Sequence, residues 1–297
     1  MEWIEKLNAS IEYIESHLTE EIDVDQLARI ACCSSFHYQR MFAYMAGVPL
    51  SEYIRRRRMS LAAVDLASGD QKIVDIALKY GYSSPTAFNR AFQSIHGIAP
   101  SLVREEGTEV KSFPPLTFKV IVKGAEELNY RIEKKDAFCI TGISQPLHRE
   151  IEKNFEIVPN MWQNAVIDGT LQKLAQKITG KDGLPAGLLG VSVCSDEDQW
   201  KYYIAAATQA TDAEAAAAET SNADGAGFET YTVPAALWAV FPGSGTNTSM
   251  QELERRIITE WLPSSGYEYA DAPDVEVYLN PDPANAVYEV WIPVRKK

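Results

Sequence analysis

The chain has 297 residues, a formal net charge of −13 and 46% hydrophobic residues. That length accommodates two or more domains with sizeable cores, and an acidic total gives no support to nucleic-acid binding by the chain as a whole. The four cysteines, Cys32, Cys33, Cys139 and Cys194, form no CxxC and no zinc spacing, which excludes a disulfide scaffold and a metal framework.

The N-terminus, MEWIEKLNASIEYIESHL, is amphipathic and acidic and does not resemble a signal peptide, and no apolar run is long enough to span a bilayer. A cytoplasmic protein with reduced thiols is the expectation, with no membrane partner, no cofactor and no metal. Charge is distributed unevenly. Arg29 to Arg104 holds ten Lys/Arg against four Asp/Glu, whereas Thr108 onward holds seventeen against twenty-seven. A basic segment beside an acidic remainder is more informative than the sum.

Trp3, Ile4, Leu7, Ile11, Ile14 and Leu18 mark a first helix with one apolar face. Asp23 or Asp25 caps a second, carrying Leu27, Ala28, Ile30 and Ala31, and Ser34 or Ser35 caps a third that ends at Gly47. Ser51–Leu66 reads as one long helix. Its four arginines, Arg55 to Arg58, point in every direction round the axis, so most are expected to be solvated or paired with nearby acids. Ile73, Ile76, Ala77 and Tyr80 then make another helix, broken at Gly81. Ser83 or Ser84 caps the last of this half, with Pro85 in its first turn. That helix is expected to bury Ala87, Phe88, Ala91, Phe92 and Ile95 and to show Thr86, Asn89, Arg90 and Gln93.

The second hairpin repeats the first. Arg40-x-Phe42-x4-Gly47 recurs as Arg90-x-Phe92-x4-Gly97, Leu27-Ala28 as Ile76-Ala77, and Ser34-Ser35 as Ser83-Ser84. A duplicated hairpin with matching polar positions is hard to explain by packing alone. The connecting helix, at 1.5 Å per residue, is roughly 24 Å long, enough to help hold two helices about one duplex turn apart. Arg40 and Arg90 suit a guanine edge or a phosphate, Gln39 suits adenine, and His37 and Asn89 suit backbone or base contacts.

The stretches LARIACCSSFHYQRMFAYMAGVPLSEYIRRRRMSLAAVDL and IVDIALKYGYSSPTAFNRAFQSIHGIAPSLVR resemble the DNA-binding domain of AraC-type transcription regulators. The resemblance implies an all-α double helix-turn-helix domain over residues 1–107. It also implies Phe36, Gln39 and Arg40 as readers of one major-groove segment, and Pro85, Thr86 and Arg90 as readers of the next. The implied partners are double-stranded promoter DNA and RNA polymerase.

Glu105–Pro115 is polar with a proline pair and reads as a linker, so that residues 108–128 are assigned to linker and entry strand. LTFKVIV, YRIEKK and FCITGIS alternate like strands, and Ile151–Ile178 is mainly helical. Leu188–Val193 and Trp200–Ala207 are strands, and Thr211–Glu219 is an Ala-rich candidate helix. A strand at Leu237–Phe241, a helix at Met250–Leu262 and strands at Val275–Leu279 and Val287–Val294 repeat the order. Strand-helix-strand-strand twice over predicts an α+β pseudo-symmetric domain with two helices on one sheet.

This half resembles the GyrI-like effector-binding domains, assigned here to residues 129–297. The likeness is carried by Ile157-Val158-Pro159-x-x-Trp162 before Gly169, Trp238-Ala239-Val240-Phe241 before Gly243, and Tyr288-Glu289-Val290-Trp291-Ile292-Pro293. It implies a small-molecule effector, often a lipophilic cation in multidrug-sensing members. Glu289 and Trp291 share a strand face, and a carboxylate beside aromatic rings suits a cation. Trp162, Trp238, Tyr203 and Tyr278 are further candidates for effector contact.

The combined expectation is a ligand-responsive transcription regulator. The alternatives are an enzyme acting in the C-terminal groove and a protein-sequestering module. No histidine lies beyond His148 and no catalytic set stands out, so an enzyme is not expected.

Overall fold

The computed structural model describes residues 2–69, 71–119, 127–180, 183–194, 200–208, 227–282 and 284–297. The chain forms two compact units, Met1–Ile121 and Val122–Lys297. The expected helix at Thr211–Glu219 lies outside the described residues. No helix among the described residues is long and apolar enough to cross a membrane.

The first unit is helical: α1 (Glu2–Ser16), α2 (Val24–Ala31), α3 (Ser35–Ala46), α4 (Leu50–Ser68), α5 (Ile73–Lys79) and α6 (Pro85–His96), then a 3-10 turn, Pro100–Arg104. Local chemistry sets the boundaries. Asp23, Ser34 and Ser84 accept hydrogen bonds from first-turn N–H groups, and Gly47, Gly69 and Gly97 end helices in the left-handed region. Met59, Leu66, Ile76, Phe88, Phe92 and Ile95 form one core around α4, α5 and α6. Ala87 is exposed rather than buried, because the buried stripe of α6 runs through Phe88, Phe92 and Ile95.

The arginine run of α4 is occupied within the fold. Arg55 and Arg56 pair with Glu52. Arg57, almost fully buried, grips the Glu15 carboxylate of α1 through Nη2 at 2.6 Å and Nε at 2.9 Å. Arg58 donates to the carbonyls of Leu18 and Glu20 where α1 ends. Arg57 and Arg58 thus fasten α1 to α4.

The second unit holds one sheet, with nine strands among the described residues: β1 (Arg131–Lys135), β2 (Phe138–Pro146), β3 (Leu188–Val193), β4 (Lys201–Thr208), β5 (Glu229–Val233), β6 (Ala236–Gly245), β7 (Tyr267–Tyr269), β8 (Asp274–Asn280) and β9 (Ala286–Lys296). Helices α7 (Asn154–Ile167) and α8 (Thr170–Ala175) follow β2, and α9 (Asn247–Arg256), continued by a π turn, follows β6. The short strands β5 and β7 were not expected. Residues 116–119 of the LTFKVIV stretch are not strand.

The strand order is β1-β6-β9-β8-β3-β4-β2-β5, with β7 pairing β9. Exchanging β1 to β4 for β5, β6, β8 and β9 leaves every pairing in that order unchanged, which is the predicted pseudo-symmetry. β5 lies six places from β6 in the order, yet two residues join them, and β1 is joined to β2 in the same way. Six strand spacings in a flat sheet cover about 29 Å. Three Cα–Cα steps reach about 11 Å. The sheet therefore rolls until its ends meet. Strands from both ends and the middle share one apolar cluster, including Phe138, Val233, Trp238, Leu189, Val277 and Trp291, inside the roll. Helices α7 and α8 pack on the opposite face, against Leu188, Tyr202 and Ile204.

Two stability predictions follow from the helical unit. Cys32 ends α2 with φ 57°, whereas Gly81 fills the corresponding position of the second hairpin with φ 82°. A side chain in the left-handed region is strained, so Cys32→Gly is expected to raise unfolding stability by roughly 1 kcal/mol, read as a higher urea midpoint. His96 is buried, and its Nδ1 accepts from the Lys111 N–H while Nε2 donates to the Met59 carbonyl. Burial, followed by the nearby Lys111 charge, outweighs the Met59 bond and pulls its pKa below 6.5. The unfolded chain then binds more protons, so stability is complete above pH 6.5 and declines as pH falls from there through the folded value. Urea midpoints between pH 8 and pH 5 should show this decline, and His96→Gln should flatten it.

Candidate functional site

The polar face of α6 is the more open of the two candidate nucleic-acid surfaces. Pro85, Thr86, Asn89 and Arg90 are all exposed, and Gln93 Nε2 donates to Asn89 Oδ1 at 3.3 Å. Arg90 makes no ion pair among the described residues. Ser84, capping the helix, fixes the direction from which Pro85 and Thr86 emerge.

The α3 set is arranged differently. Phe36, His37 and Gln39 are buried and Arg40 is half-buried. The His37 ring nitrogen Nδ1 bonds to the Ser34 hydroxyl at 2.9 Å, and Gln39 Nε2 donates to the Ser35 carbonyl at 3.4 Å. The Arg40 guanidinium lies 5.5 Å from the Phe36 ring and 5.9 Å from the Tyr44 ring, a cation–π arrangement.

In the second unit, strand parity, and for Trp162 the packing of α7, divides the six candidate effector residues. Glu289, Trp291, Trp238 and Tyr203 belong to the inner face of the roll, while Trp162 and Tyr278 belong to the helix-covered face. Glu289 has partners there: Arg131 at 2.8 Å, and the Trp291 indole N–H donating to it at 2.8 Å. Those bonds account for a carboxylate in an apolar strand. Trp238 is fully buried against Trp291, and its indole nitrogen has no hydrogen-bond partner.

A different carboxylate lies with the aromatic rings on the helix-covered face. Glu276 of β8 accepts from the Tyr278 hydroxyl at 2.9 Å and from the Tyr202 hydroxyl at 3.1 Å. Trp162 of α7 donates its indole N–H to the Tyr202 oxygen at 3.0 Å and sets its ring edge-on to Tyr278, centroids 4.8 Å apart. Glu254 of α9 is buried, and its charge, after burial, raises the pKa of Tyr288. Burial first, then the Glu276 charge, holds the Tyr202 and Tyr278 phenols protonated well above the ordinary tyrosine range. Both therefore stay donors at neutral pH, and the cluster combines carboxylates with aromatic faces.

Gly190 of β3 makes the cluster possible. It pairs directly with Glu276, and a Cβ there would come within 2.2 Å of the Tyr202 hydroxyl oxygen and 2.7 Å of Glu276 Oε2. Sequence reasoning missed Glu276, Tyr202 and Tyr288. The argument applied to Glu289, a carboxylate in an apolar strand, holds equally for Glu276 in DVEVYLN.

Residues 128–295 match the model of the GyrI-like small molecule binding domain, and residues 27–106 that of a helix-turn-helix domain. Over 96 residues the chain is 41% identical to the HTH-type transcriptional activator AarP of Providencia stuartii, covering 32% of this chain and 71% of that protein. Over 91 residues it is 38% identical to the regulatory protein SoxS of Salmonella typhimurium, covering 31% of this chain and 85% of that protein. A solved structure of SAV2435 bound to tetraphenylphosphonium aligns at 18% identity over 57% of this chain and 94% of that one, with a TM-score of 0.44.

Gly190→Ala is expected to force Tyr202 or Glu276 from its place and to destabilise the second unit by about 1–3 kcal/mol, the usual cost of overpacking. Urea unfolding followed by tryptophan fluorescence would measure the loss.

Proposed function

The chain belongs to the GyrI-like small-molecule-binding family and carries an AraC-type DNA-binding domain ahead of that fold, and from this premise we propose how a transcription regulator of this build works. The α6 residues Pro85, Thr86, Asn89 and Arg90 read one major-groove segment. Of the α3 residues expected to read the neighbouring one, half-buried Arg40 keeps that role, whereas Phe36, His37 and Gln39 are buried. Arg90, exposed and unpaired among the described residues, is the strongest candidate for a bidentate guanine or phosphate contact. The regulator acts in the cytoplasm, on promoter DNA and together with RNA polymerase.

The effector is a lipophilic cation. The observation that carries this reading is Glu276, held between the Tyr202 and Tyr278 hydroxyls beside the Trp162 ring. A carboxylate supplies charge, and the rings supply apolar area and π faces, which is the chemistry a large organic cation needs. Tyr288, paired with Tyr278, and Glu254 lie buried beside the same cluster. Of the residues expected from sequence, Trp162 and Tyr278 remain in this proposal, while Glu289, Trp291, Trp238 and Tyr203 act as structure. An effector alters regulation to the extent that it binds one arrangement of the protein better than another.

Two titrations test the proposal on the full chain. Calorimetry with tetraphenylphosphonium should detect binding that Glu276→Gln weakens at least tenfold, about 1.4 kcal/mol, and Glu289→Gln leaves unchanged. Equal loss in both variants would refute the Glu276 site, and no binding by the wild type would refute the effector class. In a gel-shift assay, a duplex selected by the chain from a random pool should bind in a salt-sensitive way. Arg90→Ala should cost about 1–3 kcal/mol of that affinity, and an unchanged affinity would refute its role.

A further inference from the structure

Residues 111–118 look like a tether in sequence, yet they are fastened along the helical unit. Four successive attachments are made by side chains of three helices. The Lys111 N–H donates to His96 Nδ1 at 3.1 Å, and the Phe113 N–H to the Ser60 hydroxyl at 2.9 Å. The Leu116 N–H donates to the Tyr53 hydroxyl at 3.2 Å, and the Phe118 N–H to Asn8 Oδ1 at 2.8 Å. Two carbonyls are held as well. Phe113 O accepts from Arg57, and Phe118 O accepts from Asn8 Nδ2 at 3.0 Å. Asn8 thereby treats Phe118 as a neighbouring strand would.

Apolar contacts follow the same path. Phe113 packs on the α4–α6 core beneath the Arg56 guanidinium, and Phe118 is buried edge-on to Phe42 of α3. Pro114 and Pro115 have no N–H to satisfy, and they stiffen the span between the two anchor points. The segment therefore touches α1, α3, α4 and α6, the helices that carry or support both hairpins. Its last described residues lie just ahead of Val122, where the second unit begins.

We propose that Lys111–Phe118 is a coupling strap: docked, it clamps α1 and α3 onto α4 in the DNA-reading arrangement, and released, it lowers DNA affinity. The effector unit is joined to the strap through the chain itself, so a pull on Phe118 is opposed first by Asn8 and Phe42 and then by Tyr53, Ser60 and His96. Buried backbone groups find water on release, so the strap can open without unfolding the core. The inference rests on the DNA-binding reading above but not on the identity of the effector.

Reciprocity supplies the test. If docking favours DNA binding, DNA binding favours docking by the same factor. Residue-resolved hydrogen exchange on the full chain, with and without a duplex selected from a random pool, should show slower exchange at Lys111, Phe113, Leu116 and Phe118. The expected slowing is at least about fivefold. Asn8→Ala combined with Ser60→Ala should speed exchange at Phe113 and Phe118 and weaken the duplex by a similar factor, with the groove-facing residues untouched. Duplex binding that leaves the four amides unchanged would overturn the strap, and this wild-type readout stands even if the double variant fails to fold. So would a folded double variant with faster exchange but undiminished affinity. A wild-type chain that selects no duplex at all would instead overturn the DNA-binding reading, and the strap with it.

Discussion

Two short turns govern the second unit. Residues 136–137 and 234–235 each join strands that stand six places apart in the sheet, and no flat sheet permits that. Rolling follows, and it gives the two faces different fates. The inner face is filled mainly by strand side chains, with Leu184 and Ala272 of the connecting segments packed against them, and Glu289 is paired with Arg131. The other face receives the helices, and there Glu276 meets Tyr202, Tyr278 and Trp162. Glu276 and Glu289 occupy adjacent strands. The period of two, counted through the β8–β9 register, puts one of them among structural ion pairs and the other in the candidate effector site.

The helical unit was largely legible because its signals are local. Caps, helix-ending glycines and apolar spacing act within a few residues, and the duplication supplied an internal check. What escaped reading depends on distant partners. The segment around Pro114 has the composition of a linker, and nothing near it in sequence reveals Asn8, Tyr53, Ser60 and His96 as its acceptors. The choice between two carboxylates required knowing which face of a rolled sheet the helices cover. β5 and β7 are short edge elements whose pairing lies far along the chain.

The two hairpins also show how a repeat diverges under unequal demands. Gly81 turns the second one without strain, while Cys32 performs the same turn at some conformational cost. In the second hairpin the polar face of α6 is open. In the first, Phe36, His37 and Gln39 are buried and Arg40 lies against aromatic rings. The arginine run between them, expected to be mostly solvated or paired with nearby acids, is paired within the fold: Arg55 and Arg56 with Glu52, and Arg57 and Arg58 with α1, Arg57 also holding the following chain.

The crossed strands have a consequence for how such a domain arises. β1 pairs with β6 and β5 with β2, so each repeat lends its first strand to the other. A lone repeat would leave one edge bare and one strand homeless. Two separate copies would cure both defects by reciprocal exchange, forming a twofold homodimer held by the same pairings. Fusing tandem genes for such a dimer would yield today's pseudo-symmetric chain, after which the halves are free to specialise. One can then contribute Trp162 and Tyr202 while the other contributes Glu276 and Glu254, an asymmetry that identical subunits could never acquire.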